Sequence, residues 1–163
     1  MVAGRHIVFI HGAWVTSACW DDFVGFFTER GYECVAPGWP GRDGRTVDEI
    51  RADPSALKGL GVGQIVDHYE RLIRAMPEPP ILIGHSFGGL FTQILLDRGL
   101  GTAGVAIDSA PPNGVFAFYP TAFRALYSVL LTPFSWRRVV RWSYKRFRYA
   151  FVHTLAEADA HAA

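Results

Sequence analysis

Gly84-His85-Ser86-Phe87-Gly88 follows the apolar run Ile81-Leu82-Ile83 and opens a stretch, residues 87–98, with helical spacing of its apolar positions. A Gly-x-Ser-x-Gly pentapeptide between a strand and a helix is the sequence form of a sharp turn that exposes one serine hydroxyl. The chemistry it offers is nucleophilic attack by Ser86 on a carbonyl carbon. Gly84, Gly88 and the additional Gly89 remove side chains where strand and helix must approach each other. Random order at this composition would give roughly 0.07 copies of the pattern per chain, so its context carries much of the weight.

A second motif, His11-Gly12-Ala13-Trp14, directly follows the apolar run of residues 6–10. Attack on a carbonyl creates an oxyanion, which two preorganised N–H groups can stabilise. One donor normally belongs to the residue after the nucleophile, here Phe87. The other comes from a loop after an earlier strand, here Ala13 or Trp14. Neighbouring parallel strands deliver both loops to the same sheet edge.

The elements that must position these residues alternate. Residues 6–10, 32–36, 81–83 and 103–107 read as strands, and residues 20–30, 62–76 and 87–98 as helices. Residues 38–60, rich in Gly, Pro and charge, read as an irregular excursion with at most one short helical turn. The expected fold class is α/β: an open, mostly parallel sheet with helices on both faces, plus a helical cap segment. Residues 1–112 form the expected core and residues 113–163 the expected cap.

These residues resemble the α/β-hydrolase superfamily. More narrowly, they are similar to its small esterase, hydroxynitrile lyase and cofactor-free haloperoxidase group. The resemblance runs through Phe9-Ile10-His11-Gly12-Ala13-Trp14, Trp20, Val35-Ala36-Pro37, Gly84-His85-Ser86-Phe87-Gly88-Gly89 and Ile107-Asp108-Ser109-Ala110-Pro111-Pro112. It implies Ser86 as nucleophile, Ala13 and Phe87 as oxyanion donors, and a cap after Pro112. It implies no cofactor, and a small, largely apolar ester-like substrate. Hydrolase, lyase and perhydrolase chemistry share this elbow.

In such hydrolases the acid and the histidine follow the serine on late loops. Here the chain ends within the cap segment, and no histidine suits the role of base. His6 starts a strand, His11 belongs to the oxyanion loop, and His68 falls on the solvent side of a helix. His85 precedes Ser86 and points away from it, while His153 and His161 fall in the cap and tail. Asp108 ends the strand after the elbow, where some members carry the acid, although Asp-Ser-Ala-Pro-Pro also reads as a structural strand end. The expectation is an N-terminal part of a serine hydrolase, weakly active or inactive alone. The alternative is a shortened, non-catalytic protein that binds a partner or a membrane surface. A sheet cut short would expose an apolar edge and favour self-association.

Composition sets further bounds. Half of the 163 residues are apolar and the net charge is +1, which excludes disorder and a dominant polyanionic partner such as nucleic acid. Charge is uneven: residues 109–163 hold seven Lys/Arg against two Asp/Glu, with none of the latter between Asp108 and Glu157. Residues 134–151 interleave Phe134, Trp136, Trp142, Tyr144, Phe147, Tyr149 and Phe151 with Arg137, Arg138, Arg141, Lys145, Arg146 and Arg148. That layout suits an amphipathic cap helix with aromatics toward substrate and arginines toward water, and it also fits a membrane-surface helix. Cys19 and Cys34 are expected to be unpaired, with Cys34 in the core, and no metal-ligand spacing is present. Met1–Arg5 do not read as a signal peptide, and Pro120 and Arg124 interrupt the longest apolar region, so a cytoplasmic protein is expected.

Overall fold

The computed structural model describes residues 5–115, 119–135 and 138–162. Trp136, Arg137 and Met1–Gly4 lie outside the described residues, as does the side chain of His161. Four parallel strands, β1 (His6–Ile10), β2 (Glu33–Val35), β3 (Ile81–His85) and β4 (Ala103–Ile107), form one sheet in the order β2-β1-β3-β4. The fold class expected from the alternation is thus the one observed.

Side-chain alternation along β1 explains why both faces must be covered. Ile7 and Phe9 point to one face, where they pack with Trp20 and with Val24 and Phe27 of helix α1 (Asp21–Thr28). Val8 and Ile10 point to the other face. There they meet Ile65, Val66, Tyr69 and Ile73 of α3 (Val62–Arg74), and Phe91 and Leu95 of α4 (Phe87–Asp97). Leu72, which the helical spacing would place with this stripe, is exposed instead. His68, expected on the solvent side, is half-buried with Nε2 3.6 Å from Asp43 Oδ2. Cys34 is half-buried against the α1-side cluster, Cys19 is exposed, and both are free thiols.

The excursion between β2 and α3 is more ordered than its composition suggests. It holds α2 (Val47–Ala52) and a single turn at Ser55–Leu57. Thr46 caps α2 reciprocally: its hydroxyl accepts from the Glu49 N–H, and the Glu49 carboxylate accepts from the Thr46 N–H at 2.7 Å. Three bonds fasten the excursion to the core. Trp39 Nε1 donates to the His11 carbonyl at 3.1 Å, Arg42 Nη1 to the Val15 carbonyl at 2.9 Å, and the Tyr69 hydroxyl to the Pro37 carbonyl at 2.9 Å.

Strand order fixes where a site can form. The chain leaves β1 for β2 on one side, then returns to β3 on the other side of β1. The loops after β1 and β3 therefore diverge at a switch point, and a crevice opens at the carboxyl ends of these two strands. Register brings the loops level, with Ile10 opposite Gly84 and His85 opposite Ile107.

Residues beyond Pro112 are largely helical, but residues 134–151 do not form the one amphipathic helix that their pattern suggests. The segment forms α5 (Pro120–Leu130), the short α6 (Tyr144–Phe147), a wider turn at Arg148–Val152 and α7 (Glu157–Ala162). Helix α5 ends at Leu130, shortly before Pro133, and Phe134 takes a positive φ of 57°, so the helix cannot continue. Among the described residues no helix is long and apolar enough to cross a membrane.

Candidate active site

Ser86 caps the N-terminus of α4 at φ 57° and ψ −118°, a backbone conformation costly for any residue with a side chain. Four hydrogen bonds hold it there. The Ser86 N–H donates to the Ile107 carbonyl at 3.0 Å, and its own carbonyl accepts from the amides of Gly89, Leu90 and Ala110 at 3.0, 3.3 and 3.0 Å. Strand β4 thus fixes the turn from one side and α4 from the other.

Three glycines make the turn possible by close approach. A Cβ on Gly84 would stand 2.1 Å from the Gly88 carbonyl oxygen, and one on Gly88 would stand 1.9 Å from the Ile10 carbonyl oxygen. At Gly12 a Cβ would lie 2.9 Å from Ser86 Cβ and 3.4 Å from Ser86 Oγ. The loop after β1 therefore lies directly against the serine. The structure brings Gly12, Gly84, Ser86 and Gly88 together, as the sequence pattern requires.

Ala13, Trp14 and Phe87 line a cavity of about 250 Å³ beside this turn. Phe87 is the first residue of α4, so its N–H has no acceptor within its own helix. Trp14 adopts a positive φ of 62°, and its Nε1 donates to the Val140 carbonyl at 3.1 Å. Its ring stacks on Trp142 with centroids 3.8 Å apart and planes 10° apart. These contacts draw the C-terminal segment over the crevice.

The cavity wall differs from the one the sequence suggested. The aromatics of residues 142–151 pack among themselves and on the core: Trp142 on Trp14, Phe151 near His85 and Phe147 on Phe151. The wall comes instead from Trp39, Leu60, Phe91, Val129 and Val140, together with Arg42 and Arg138. Sequence reasoning missed Trp39 and Arg42, which lie in the Gly/Pro-rich excursion with no motif around them. The arginines of the segment do not all face water alone. Arg141 donates to the Arg51 carbonyl at 2.7 Å, Arg146 to the Tyr127 hydroxyl at 2.6 Å, and Arg148 pairs with Glu157 at 3.0 Å.

His11, the first residue of the loop after β1, is fully buried and stacks on Trp39 with centroids 5.3 Å apart. Its Nδ1 lies 2.8 Å from the Gly12 carbonyl, which can only accept, so the proton sits on Nδ1 in the neutral ring. Burial, and secondarily the nearby Arg42 charge, push its pKa down to about 4, while the Gly12 bond opposes them. An unfolded chain takes up this proton near pH 6.5 and the folded chain resists until about 4. Acid therefore favours unfolding across that window, by about 3 kcal/mol when complete, and by nothing further below it. Urea unfolding at pH 7 and pH 4.5 is expected to reveal this loss, and His11→Gln is expected to flatten the slope.

The other candidates are dispersed. His85 is half-buried with its ring centroid 6.5 Å from that of Phe151. His6 pairs with Glu33, His68 faces Asp43, and His153 is exposed. Among the described residues no histidine is hydrogen-bonded to the Ser86 hydroxyl. Asp108, at a positive φ of 42°, is exposed at the end of β4 and bonds to no histidine there. No cluster of His, Cys, Asp or Glu among the described residues could hold a metal ion.

Residues 7–163 match the model of the alpha/beta hydrolase family. The chain belongs to the alpha/beta hydrolase family. No curated protein sequence matches significantly. This alpha/beta hydrolase chain resembles an extracellular Paenibacillus α/β-hydrolase, described as sharing structural and functional homology with tobacco salicylic acid binding protein 2. The TM-score is 0.71 at 22% identity, covering 96% of this chain and 63% of that one. It also resembles tomato methylketone synthase I complexed with 2-tridecanone, with a TM-score of 0.66 at 18% identity, covering 99% and 65%. A third likeness is to the thioesterase domain of the curacin biosynthetic pathway, with a TM-score of 0.61 at 19% identity, covering 96% and 56%. The chain thus spans less than two thirds of the length of each of these structures.

Proposed function

We propose that this alpha/beta hydrolase presents Ser86 as the nucleophile of a serine hydrolase acting on small, largely apolar carboxylic esters or related acyl compounds. The observation that carries this reading is the strained, fourfold-held Ser86 turn against the Gly12 loop, beside a cavity lined by Ala13 and Phe87. Ser86 Oγ attacks the substrate carbonyl, and the N–H groups of Phe87 and Ala13 receive the developing oxyanion. The N-terminal end of α4 adds its positive dipole at the same point. The ketone complex of tomato methylketone synthase I and the thioesterase likeness support an apolar, carbonyl-bearing ligand.

Proton transfer from Ser86 needs a base, and the described histidines stand elsewhere. The base then comes from outside the described histidine side chains, with Asp108 as a candidate for the acid that orients it. Residues 113–163 act as the cap, and Trp14 is its hinge contact through Trp142 and Val140. The exposed Val105 on edge strand β4 and Val35 on edge strand β2 favour self-association of this chain. Turnover of short p-nitrophenyl esters tests the reading. Activity that depends on Ser86 and falls as the acyl chain outgrows the cavity supports it; activity indifferent to Ser86 refutes it.

A further inference from the structure

The cavity beside the elbow is apolar over most of its wall, yet two arginines, Arg42 and Arg138, are among the residues that line it. No Asp or Glu lines it among the described residues. Asp43, next in sequence to Arg42, is engaged elsewhere: it accepts from the Gly38 N–H at 2.6 Å and faces His68.

Arg42 is held in a fixed pose without a carboxylate. Its Nη1 donates to the Val15 carbonyl at 2.9 Å, and its guanidinium carbon stands 5.1 Å from the Trp39 ring centroid. Nε is buried without a partner, and Nη2 has none among the described residues. A half-buried guanidinium in this condition has lost water and gained one neutral acceptor and one ring face in exchange. A ligand oxyanion would complete its hydrogen bonding with the strongest class of partner a guanidinium has. The same cavity carries the Ala13 and Phe87 walls, so a ligand whose carbonyl sits at the oxyanion donors has its other end among apolar side chains and these two cations.

The geometry points to an acyl substrate that ends in a carboxylate, a half-ester of a short dicarboxylic acid, with Arg42 as the residue that selects it. This rests on the reading of the cavity as the acyl site of Ser86. The volume, about 250 Å³ against about 30 Å³ for a water, suits a ligand of roughly eight to twelve non-hydrogen atoms, a dicarboxylic chain of four to six carbons with one end esterified. Arg138, exposed at the rim, adds charge without a fixed pose and so contributes less.

The test compares monomethyl adipate with dimethyl adipate, two ligands of nearly equal length that differ in one negative charge. Titration of the 163-residue chain carrying Ser86→Ala, so that neither ester is consumed, is read by the fluorescence of Trp14 and Trp39. The half-ester is expected to bind at least tenfold more tightly than the diester, the scale of one charge-assisted hydrogen bond. Adding Arg42→Gln is expected to bring the ratio close to one, and Arg42→Lys to retain part of it. Equal binding of the two esters, or no binding of the half-ester at millimolar concentration, overturns the inference. So does an Arg42→Gln variant that melts earlier yet keeps the ratio, which would make Arg42 a fastener of the excursion and nothing more. Displacement by inorganic phosphate but not by adipate overturns the carboxylate assignment in favour of a phosphorylated substrate. Should Arg42→Gln fail to fold, the half-ester to diester ratio of the chain with native Arg42 decides alone. Ser86-dependent ester turnover without a carboxylate preference refutes this inference and spares the serine-hydrolase reading. A carboxylate preference in a chain whose Ser86 captures no acyl group leaves Arg42 as a carboxylate-binding residue, refutes the serine-hydrolase reading and with it the half-ester as a substrate.

Discussion

Replacing Ser86 by alanine is expected to abolish ester turnover. In a protein whose serine is served by a base, the loss is on the order of a millionfold in kcat, leaving the roughly 10³–10⁴ over water that an oxyanion hole and binding supply. The chain of 163 residues places no described histidine against Ser86, so its own turnover is expected to be slow from the start. In that chain the substitution shows as loss of acyl capture: wild type accumulates an ester-derived adduct on one residue and Ser86→Ala accumulates none. Stability is expected to change little. Alanine keeps the backbone bonds to Ile107, Gly89, Leu90 and Ala110, so the fold survives and the comparison reports chemistry. Pre-steady-state release of p-nitrophenol, measured beside thermal melting, checks both halves.

Gly88→Ala is expected to damage the fold itself. Its new Cβ would lie 1.9 Å from the Ile10 carbonyl oxygen and 2.6 Å from the carbonyl carbon, both backbone atoms in the central strand. A rotamer change cannot relieve this clash, so α4 must move off the sheet by more than an ångström. That movement opens the packing of Phe91 and Leu95 on Val8, Ile10 and Leu82. It also pulls on the Ser86 turn. A cost above about 4 kcal/mol follows, a large part of the 5–15 kcal/mol that holds a domain of this size together. Expression yield and a melting curve are the checks, with Gly63→Ala as the comparison. Gly63 sits in α3 with nothing within 4 Å of a built Cβ, and alanine there is expected to be neutral or mildly stabilising. Soluble Gly88→Ala protein with an unchanged melting point would contradict the close packing described for the elbow.

The central strand was legible because a parallel strand buried on both faces leaves a continuous apolar run, and residues 6–10 are such a run with bounds that match β1; residues 103–107 match β4 as a short run of small and apolar residues, although that edge strand is largely exposed. The elbow was legible for a related reason. Close backbone approach demands glycine, and glycine at 84 and 88 survives in the sequence as a spacing. Helix α2 could have been read from Thr46-x-x-Glu49, a reciprocal cap, but the surrounding glycines and prolines masked it. Residues 134–151 suggested one amphipathic helix because alternating aromatics and arginines satisfy a helical pattern equally well when the rings pack on distant partners. Trp142 finds its partner 128 residues earlier, at Trp14, and no local spacing encodes that contact. Trp39 and Arg42 illustrate the same limit. They become cavity residues only once their hydrogen bonds to His11 and Val15 fold the excursion over the crevice.

These contacts also separate what holds the site from what would act in it. Ile107, Gly89 and Ala110 fix the Ser86 turn; Gly12 sets the distance of the loop after β1; Trp14 joins that loop to the segment above it. A serine held at this cost, beside a cavity bordered by two candidate donors, is the arrangement that the proposed covalent chemistry at its hydroxyl requires. The most direct measurement is reaction of the chain with a fluorophosphonate, followed by intact mass and peptide mapping. One phosphonyl group per chain on Ser86, absent from Ser86→Ala and slowed by a competing short ester, is the predicted result. Fluorophosphonate that labels Ser109 or Ser135 as fast as Ser86, or that labels Ser86 at a rate unchanged by the competing ester, would contradict it.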